Sequence, residues 1–189
     1  MRVGLVGEDP NDTSSIENLL SPPYRAKKIK FIKLLKNIRG WQLDSIHKVK
    51  RALAVEFEYK KCDFVIYIRD SDGPSSDKIK INIRKEWFKH LDDSANKKGL
   101  LLLNIYELEA LILADIGSFN KMYRTDINYK QNPSFEKDPK EFLMRKTINS
   151  QRKYKESDCP EIFSKLNIET VKRNCTYFKN FISEFESRI

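Results

Sequence analysis

Short uninterrupted apolar runs alternate with longer stretches of helical periodicity along this chain. The residues Arg2-Val3-Gly4-Leu5-Val6-Gly7 form the first run and predict an opening strand. Thr13 to Leu20 predicts a helix, with Ile16, Leu19 and Leu20 on its apolar face and a capping-box spacing at Ser14-x-x-Glu17. Ser21-Pro22-Pro23 ends it. Lys30 to Leu35 fits a strand or a helical turn, and Arg39-Gly40 marks a turn. Beyond it, Ile46, Val49, Leu53 and Phe57 recur at helical spacing, turning His47, Lys48 and Arg51 outward.

The strongest strand signal is the run of five apolar residues from Phe64 to Ile68. It leads directly into Arg69-Asp70-Ser71-Asp72-Gly73. A loop at Gly73 to Ser76 precedes a second helical stripe of Ile79, Ile83, Trp87 and Leu91. After a turn at Asn96 to Gly99, Leu100 to Ile105 predicts a further strand, apolar except for Asn104, leading to Glu107 and Glu109 at a helix start. Strand alternating with helix predicts an α/β fold with a parallel sheet covered on both faces. Beyond Tyr123 no strand signal remains. Asp126 to Lys137 reads as a surface loop, and helices are expected over Lys140 to Thr147, Glu161 to Leu166 and Glu169 to Phe185. The organisation is an α/β domain over 1–125 and a loop with a helical extension over 126–189, packed on the same domain.

At 189 residues, with 40% hydrophobic and 33% charged positions, the chain can build a real core, which argues against disorder. It lacks an apolar stretch of bilayer-spanning length, and its opening Met1-Arg2-Val3-Gly4-Leu5-Val6-Gly7-Glu8 does not fit a signal peptide, so a cytoplasmic location is expected. Cys62, Cys159 and Cys175 have neither zinc-site spacing nor a His cluster, and predict reduced, packed thiols. The net charge of +9 favours an anionic partner, nucleic acid first; a Lys-rich proteome is the plain alternative. From Arg25 to Lys61 twelve basic residues face three acids, and Lys27, Lys28, Lys30, Arg39, Lys48 and Arg51 are the candidates for contact with a nucleic-acid backbone.

Three strands run into acids: Glu8 with Asp12, Asp70 with Asp72, and Glu107 with Glu109. Ligands in open parallel sheets bind beyond the carboxyl ends of the strands. Carboxylates gathered there suit Mg²⁺ or Mn²⁺, one or two ions, which keep waters and open positions for a phosphate. Each acid also has a structural reading. Asp12 can cap the helix it opens, Glu107 and Glu109 can complement a helix dipole, and Asp72-Gly73 is a turn signal. Asp115 reads as a helix-end or turn residue. Glu8, Asp70 and Asp72 are expected on a first metal, and Asp12, Glu107 and Glu109 on a second or in its outer shell. His47 and His90 lie on polar helix faces and do not suggest a general base.

The pattern Val3-Gly4-Leu5-Val6-Gly7-Glu8 with Asp12, then Asp70-Ser71-Asp72, resembles the Toprim domain of topoisomerases, primases and OLD-type nucleases. With Tyr106-Glu107-Leu108-Glu109-Ala110, Asp138-Pro139-Lys140 and a Phe-rich final helix, it is more closely similar to small stand-alone Toprim-like proteins of the DUF4276 type. The resemblance implies a Toprim-like, Rossmann-like sheet and metal-dependent phosphodiester cleavage, in bacterial anti-phage systems where such an effector works beside an ABC-type ATPase. Lys140 would then neutralise charge on the phosphate, against the reading of an ordinary surface lysine. The chain lacks a Gly-rich phosphate loop, so any ATP hydrolysis belongs to the partner. Two positions depart from the pattern: Asp9 stands where Gly is usual, adding a charge and removing a permissive turn residue, and Leu111 replaces an aromatic. A non-catalytic adaptor that binds an ATPase or nucleic acid is the alternative, with Asp9 its best support. A phospho-acceptor receiver with Asp70 as acceptor fits less well, because the acidic pair is expected after the first strand.

Overall fold

A computed structural model describes residues 1–38 and 40–189. Four parallel strands, β1 (Arg2–Val6), β2 (Lys30–Lys33), β3 (Phe64–Asp70) and β4 (Gly99–Asn104), form one sheet in the order β2-β1-β3-β4. Parallel neighbours need crossover connections, and helices supply them. Helix α1 (Pro10–Leu20) joins β1 to β2 across one face of the sheet. Helices α2 (Ile46–Tyr59) and α3 (Lys78–Asp92) join β2 to β3 and β3 to β4 across the other. The chain therefore steps one way from β1 to β2 and the opposite way afterwards, which puts helices on both faces.

The remaining helices are α4 (Ala110–Ala114), α5 (Ile116–Tyr123), α6 (Pro139–Thr147), α7 (Cys159–Phe163), α8 (Ile168–Asn174) and α9 (Thr176–Glu186). They share the α1 face. Val3, Leu5, Phe64, Ile66, Ile68, Leu100 and Leu102 lie in one buried cluster with Ile16, Leu143, Ile162, Phe178, Ile182 and Phe185. Residues beyond 125 thus complete the same core as the sheet. The opposite face is a smaller cluster in which Val6, Val65 and Tyr67 meet Leu53, Phe57, Trp87 and Leu91. Alternation along β3 sends Ile66, Ile68 and Asp70 to the α1 face and Tyr67 and Arg69 to the α2–α3 face.

Of the two readings open for Lys30 to Leu35, the strand holds over Lys30–Lys33, because it finds a parallel partner in β1 with Lys30 opposite Arg2. Other local expectations are corrected. Helix α1 starts earlier than Thr13. Asp9 is its N-cap, accepting from Asn11 N at 2.8 Å, while Asp12 accepts from Asp9 N at 2.9 Å. This reciprocal pair is the capping box, and Ser14, already inside the helix, bonds Pro10 O instead. The stripe on α3 is helical, yet only Trp87 and Leu91 are buried; Ile79 and Ile83 are 74% and 58% exposed. The expected helix from Glu169 to Phe185 is two, broken where Cys175 takes an extended conformation.

Candidate metal centre at the sheet switch point

The stepping direction reverses between β1 and β3, and a crevice outside the strand ends at such a point is where this architecture binds ligands. Glu8 follows β1 and Asp70 ends β3, so both stand at the reversal. Asp12 reaches it from the first turn of α1, and Glu109 from the turn between β4 and α4.

Each carboxylate has a fixed protein contact. The Asp70 carboxylate accepts from Asn104 Nδ2 at 2.9 Å, across the register pair of β3 and β4. Glu8 is ion-paired to Arg69 Nε at 2.8 Å. Asp12 holds Asp9 N, and Glu109, nearly sealed from solvent, accepts from Tyr154 OH at 2.9 Å with Cys159 Sγ beside it. Burial is the main influence on Asp70 and pushes its carboxyl well above the usual range. The charges of Asp12, Glu109 and Glu8 push the same way, against the pull of the Asn104 hydrogen bond. Asp12 is raised to about 7, first by burial, then by Glu8, Asp9 and Glu109, with the Asp9 backbone bond opposing. Burial also lifts Glu109, and Lys140 is the main opposing influence. Asp12 and Asp70 therefore each lie within electrostatic reach of the other, of Glu8 and of Glu109, though the chain brings them from separate segments.

Asp72 does not join them. Its backbone is in the left-handed region (φ 52°), and its exposed carboxylate is engaged by Arg84 from α3, on the opposite face of the sheet from Asp70. Alternate residues of an extended strand would have shared a side; the turn at Ser71–Gly73, tied by Ser71 Oγ to Gly73 O at 2.6 Å, breaks that parity. Glu107 caps α6, accepting from Lys140 N at 3.0 Å, and its charge acts on Glu109. Lys140 Nζ bonds Glu156 at 3.2 Å. Burial alone would pull its ammonium down, but Glu109, Glu156 and Glu107 outweigh that and hold it above its ordinary value. Lys140 is thus beside the acidic group rather than a detached surface lysine.

The basic candidates are divided. Lys27, Lys28 and Lys30 are exposed at the start of β2, the sheet edge opposite the acids. Lys48 and Arg51 are exposed on the first turns of α2, which begins at the acidic edge. Arg39 lies outside the described residues.

Four contributors went unassigned in the sequence. Arg69 is buried, ion-paired to Glu8 and to Asp44 at 3.0 Å, with its guanidinium 4.8 Å from the centre of the Trp87 ring. Its signal was a cation placed between an apolar run and an acid. Asn104 broke an otherwise apolar strand, which was visible. Tyr154 and Tyr177 come from the helical region, where nothing in the local pattern points toward Glu109 or Asp70. Tyr177 is half-buried, and burial, then Cys175 and Asp70, raises its phenol.

The donor set is all oxygen, its members repel one another, and buried Asn104 Oδ1 has no hydrogen-bond partner. Those properties suit a hard cation. As the side chains stand, no group of three or more His, Cys, Asp or Glu among the described residues is arranged around one point as a metal site. Arg69, Asn104 and Asp9 N each engage one of the carboxylates instead.

A family model described as Domain of unknown function (DUF4276) matches residues 8–186. The chain belongs to that family. The match starts at Glu8 and continues to the end of α9, so the DUF4276 unit includes both the acids at the switch point and the helices that enclose Glu109. No curated protein and no solved structure gives a significant match. Position 9 of this DUF4276 protein does not need glycine. Asp9 has φ −130°, which any residue adopts, and Asp is among the best N-cap residues.

Proposed function

We propose that this DUF4276 protein is a divalent-cation-dependent phosphodiesterase acting on DNA or RNA, with a Toprim-like site. The observation carrying the proposal is the crowding of Glu8, Asp12, Asp70 and Glu109 at the sheet switch point, where burial, and then repulsion, drive Asp12 and Asp70 upward. Glu8, Asp12 and Asp70 would hold Mg²⁺ or Mn²⁺, and Glu109 would stand next to them. When bound, such an ion supplies positive charge to a phosphodiester and a source of hydroxide near neutral pH. This chain's own residues prepare the place. Asn104 orients Asp70, Tyr154 orients Glu109, Arg69 keeps Glu8 at the crevice mouth, and Lys140 adds a cation beside Glu109. Asp72, tied to Arg84, takes no part in holding the ion in this arrangement.

The sequence pattern behind the Toprim comparison also supports a role as a cytoplasmic anti-phage effector beside an ABC-type ATPase. Among the described residues no helix is long and apolar enough to cross a membrane. A second reading, a non-catalytic adaptor, is favoured by one observation: Arg69 neutralises Glu8. Cleavage of plasmid, single-stranded DNA and tRNA should be compared with and without Mg²⁺ or Mn²⁺, for wild type and for Glu8→Gln/Asp70→Asn. Metal-dependent cutting that the double variant loses supports the nuclease. Full cutting by that variant removes this site, and binding without cutting by wild type leaves the adaptor.

A further inference from the structure

The 3-10 turn Gly40–Asp44 sits at the mouth of the acidic crevice and is fixed at several points. Gly40, with φ 49°, donates from its backbone N to Glu8 O at 2.9 Å. Leu43 is fully buried, and its carbonyl accepts from Trp87 Nε1 at 3.0 Å. Asp44 takes Arg69 at 3.0 Å and Arg84 at 3.7 Å. Between these anchors stands Trp41, 79% exposed, whereas Trp87, the other tryptophan, is 4% exposed. A large aromatic held out to water by an anchored turn gains nothing for the core. The first turns of α2 follow directly and present His47, Lys48 and Arg51 to solvent.

We infer that Trp41 is a stacking platform for an unpaired base, and hence that the substrate class is single-stranded nucleic acid. This rests on the phosphodiesterase reading of the same crevice and names what enters it. An aromatic face beside exposed cations is the arrangement by which proteins hold single strands: the ring takes a base and the cations take the backbone. A continuous duplex keeps its base faces stacked internally and offers them to Trp41 only at its ends. With the main-chain oxygen of Glu8 bonded to Gly40 N at 2.9 Å, a strand whose base rests on the Trp41 ring would pass the mouth of the crevice.

Binding is measured in EDTA, so no cleavage intervenes, by anisotropy of labelled oligo-dT, oligo-U and a closed hairpin duplex. Tryptophan emission is recorded alongside. Both single strands, or one of them, should quench the emission and bind more tightly than the hairpin. Trp41→Ala should weaken single-strand binding about tenfold, and Trp41→Phe should keep most of it. Lys48→Gln with Arg51→Gln should reduce the salt dependence. The two single-stranded arms tell DNA from RNA. Equal affinities for wild type and Trp41→Ala overturn the inference, as does equal binding of the hairpin. So does a Trp41→Ala variant that loses a protein partner while keeping its affinity for single strands. Failure of the nuclease reading is separately visible: Trp41-dependent binding without cutting in Mg²⁺ removes the nuclease and keeps the platform, and duplex cutting indifferent to Trp41 does the reverse.

Discussion

Asp12→Asn should stabilise the metal-free protein, by an amount that grows with pH. The asparagine Oδ1 still accepts from Asp9 N, so the capping contact at 2.9 Å survives while the charge facing Glu8 and Glu109 is removed. Asp12 has its carboxyl raised from 3.8 to about 7 in the fold. The unfolded chain therefore loses that proton near pH 4 and the folded protein holds it to about pH 7, so wild-type stability falls across that interval as pH rises. The displacement corresponds to at most about 4 kcal/mol above pH 7. Even ~1–2 kcal/mol of it would raise Tm by roughly 2–8 °C for a chain of this size. Thermal unfolding in EDTA, followed by circular dichroism from pH 4.5 to 8.5, reads the difference. The gap between variant and wild type should open up to about pH 7 and then stay level. A gap that is absent, or constant across that range, refutes the electrostatic account of the crevice. In Mg²⁺ the variant should also show a smaller metal-induced rise in Tm than wild type, because it has lost a proposed ligand.

Tyr154→Phe should cost about 1–3 kcal/mol in urea unfolding, because buried Glu109 loses a donor at 2.9 Å; an unchanged midpoint would mean that the bond contributes nothing. Arg69→Gln should destabilise by about 1–3 kcal/mol, since it removes charge-assisted contacts to the partly exposed Glu8 and Asp44, and calorimetric titration should show Mg²⁺ binding the folded variant more tightly than wild type. Ile66→Ala should lower stability by about 2–5 kcal/mol, whereas Ile83→Lys should stay within about 0.5 kcal/mol, measured side by side in urea. A large loss in the second variant would show that the outer face of α3 is covered in solution.

The parallel sheet was legible because Phe64 to Ile68 is buried on both faces and Leu100 to Ile105 is at least half-buried throughout, leaving apolar runs without helical periodicity. Glu8 and Asp70 were legible for the same reason, as acids directly beyond such runs. The grouping of the acids was less so. Asp70 and Asp72 read as a pair from spacing alone, but a left-handed residue in the turn sends their side chains to opposite faces, and dihedral reversals of that kind leave little trace in a non-glycine sequence. The Ile79 and Ile83 stripe shows the converse limit: periodicity fixes a helix without fixing which of its apolar residues finds a neighbour. Tyr154 and Tyr177 were out of reach because their partners are distant in sequence, and only tertiary packing brings them to Glu109 and Asp70.

The enclosure of Glu109 by Tyr154 and Cys159, with Tyr177 of the last helix within electrostatic reach of Asp70, has a consequence for biosynthesis. A chain leaves the ribosome from its N-terminus, so β1, α1 and β3 are available long before these residues. During that interval Glu109 and Asp70 remain hydrated and their repulsion is screened by water. The low-dielectric crevice in which the carboxylates crowd is complete only when the last helices dock. If the crevice has the nucleic-acid chemistry proposed above, the unfinished chain, still attached to its own message, is without it.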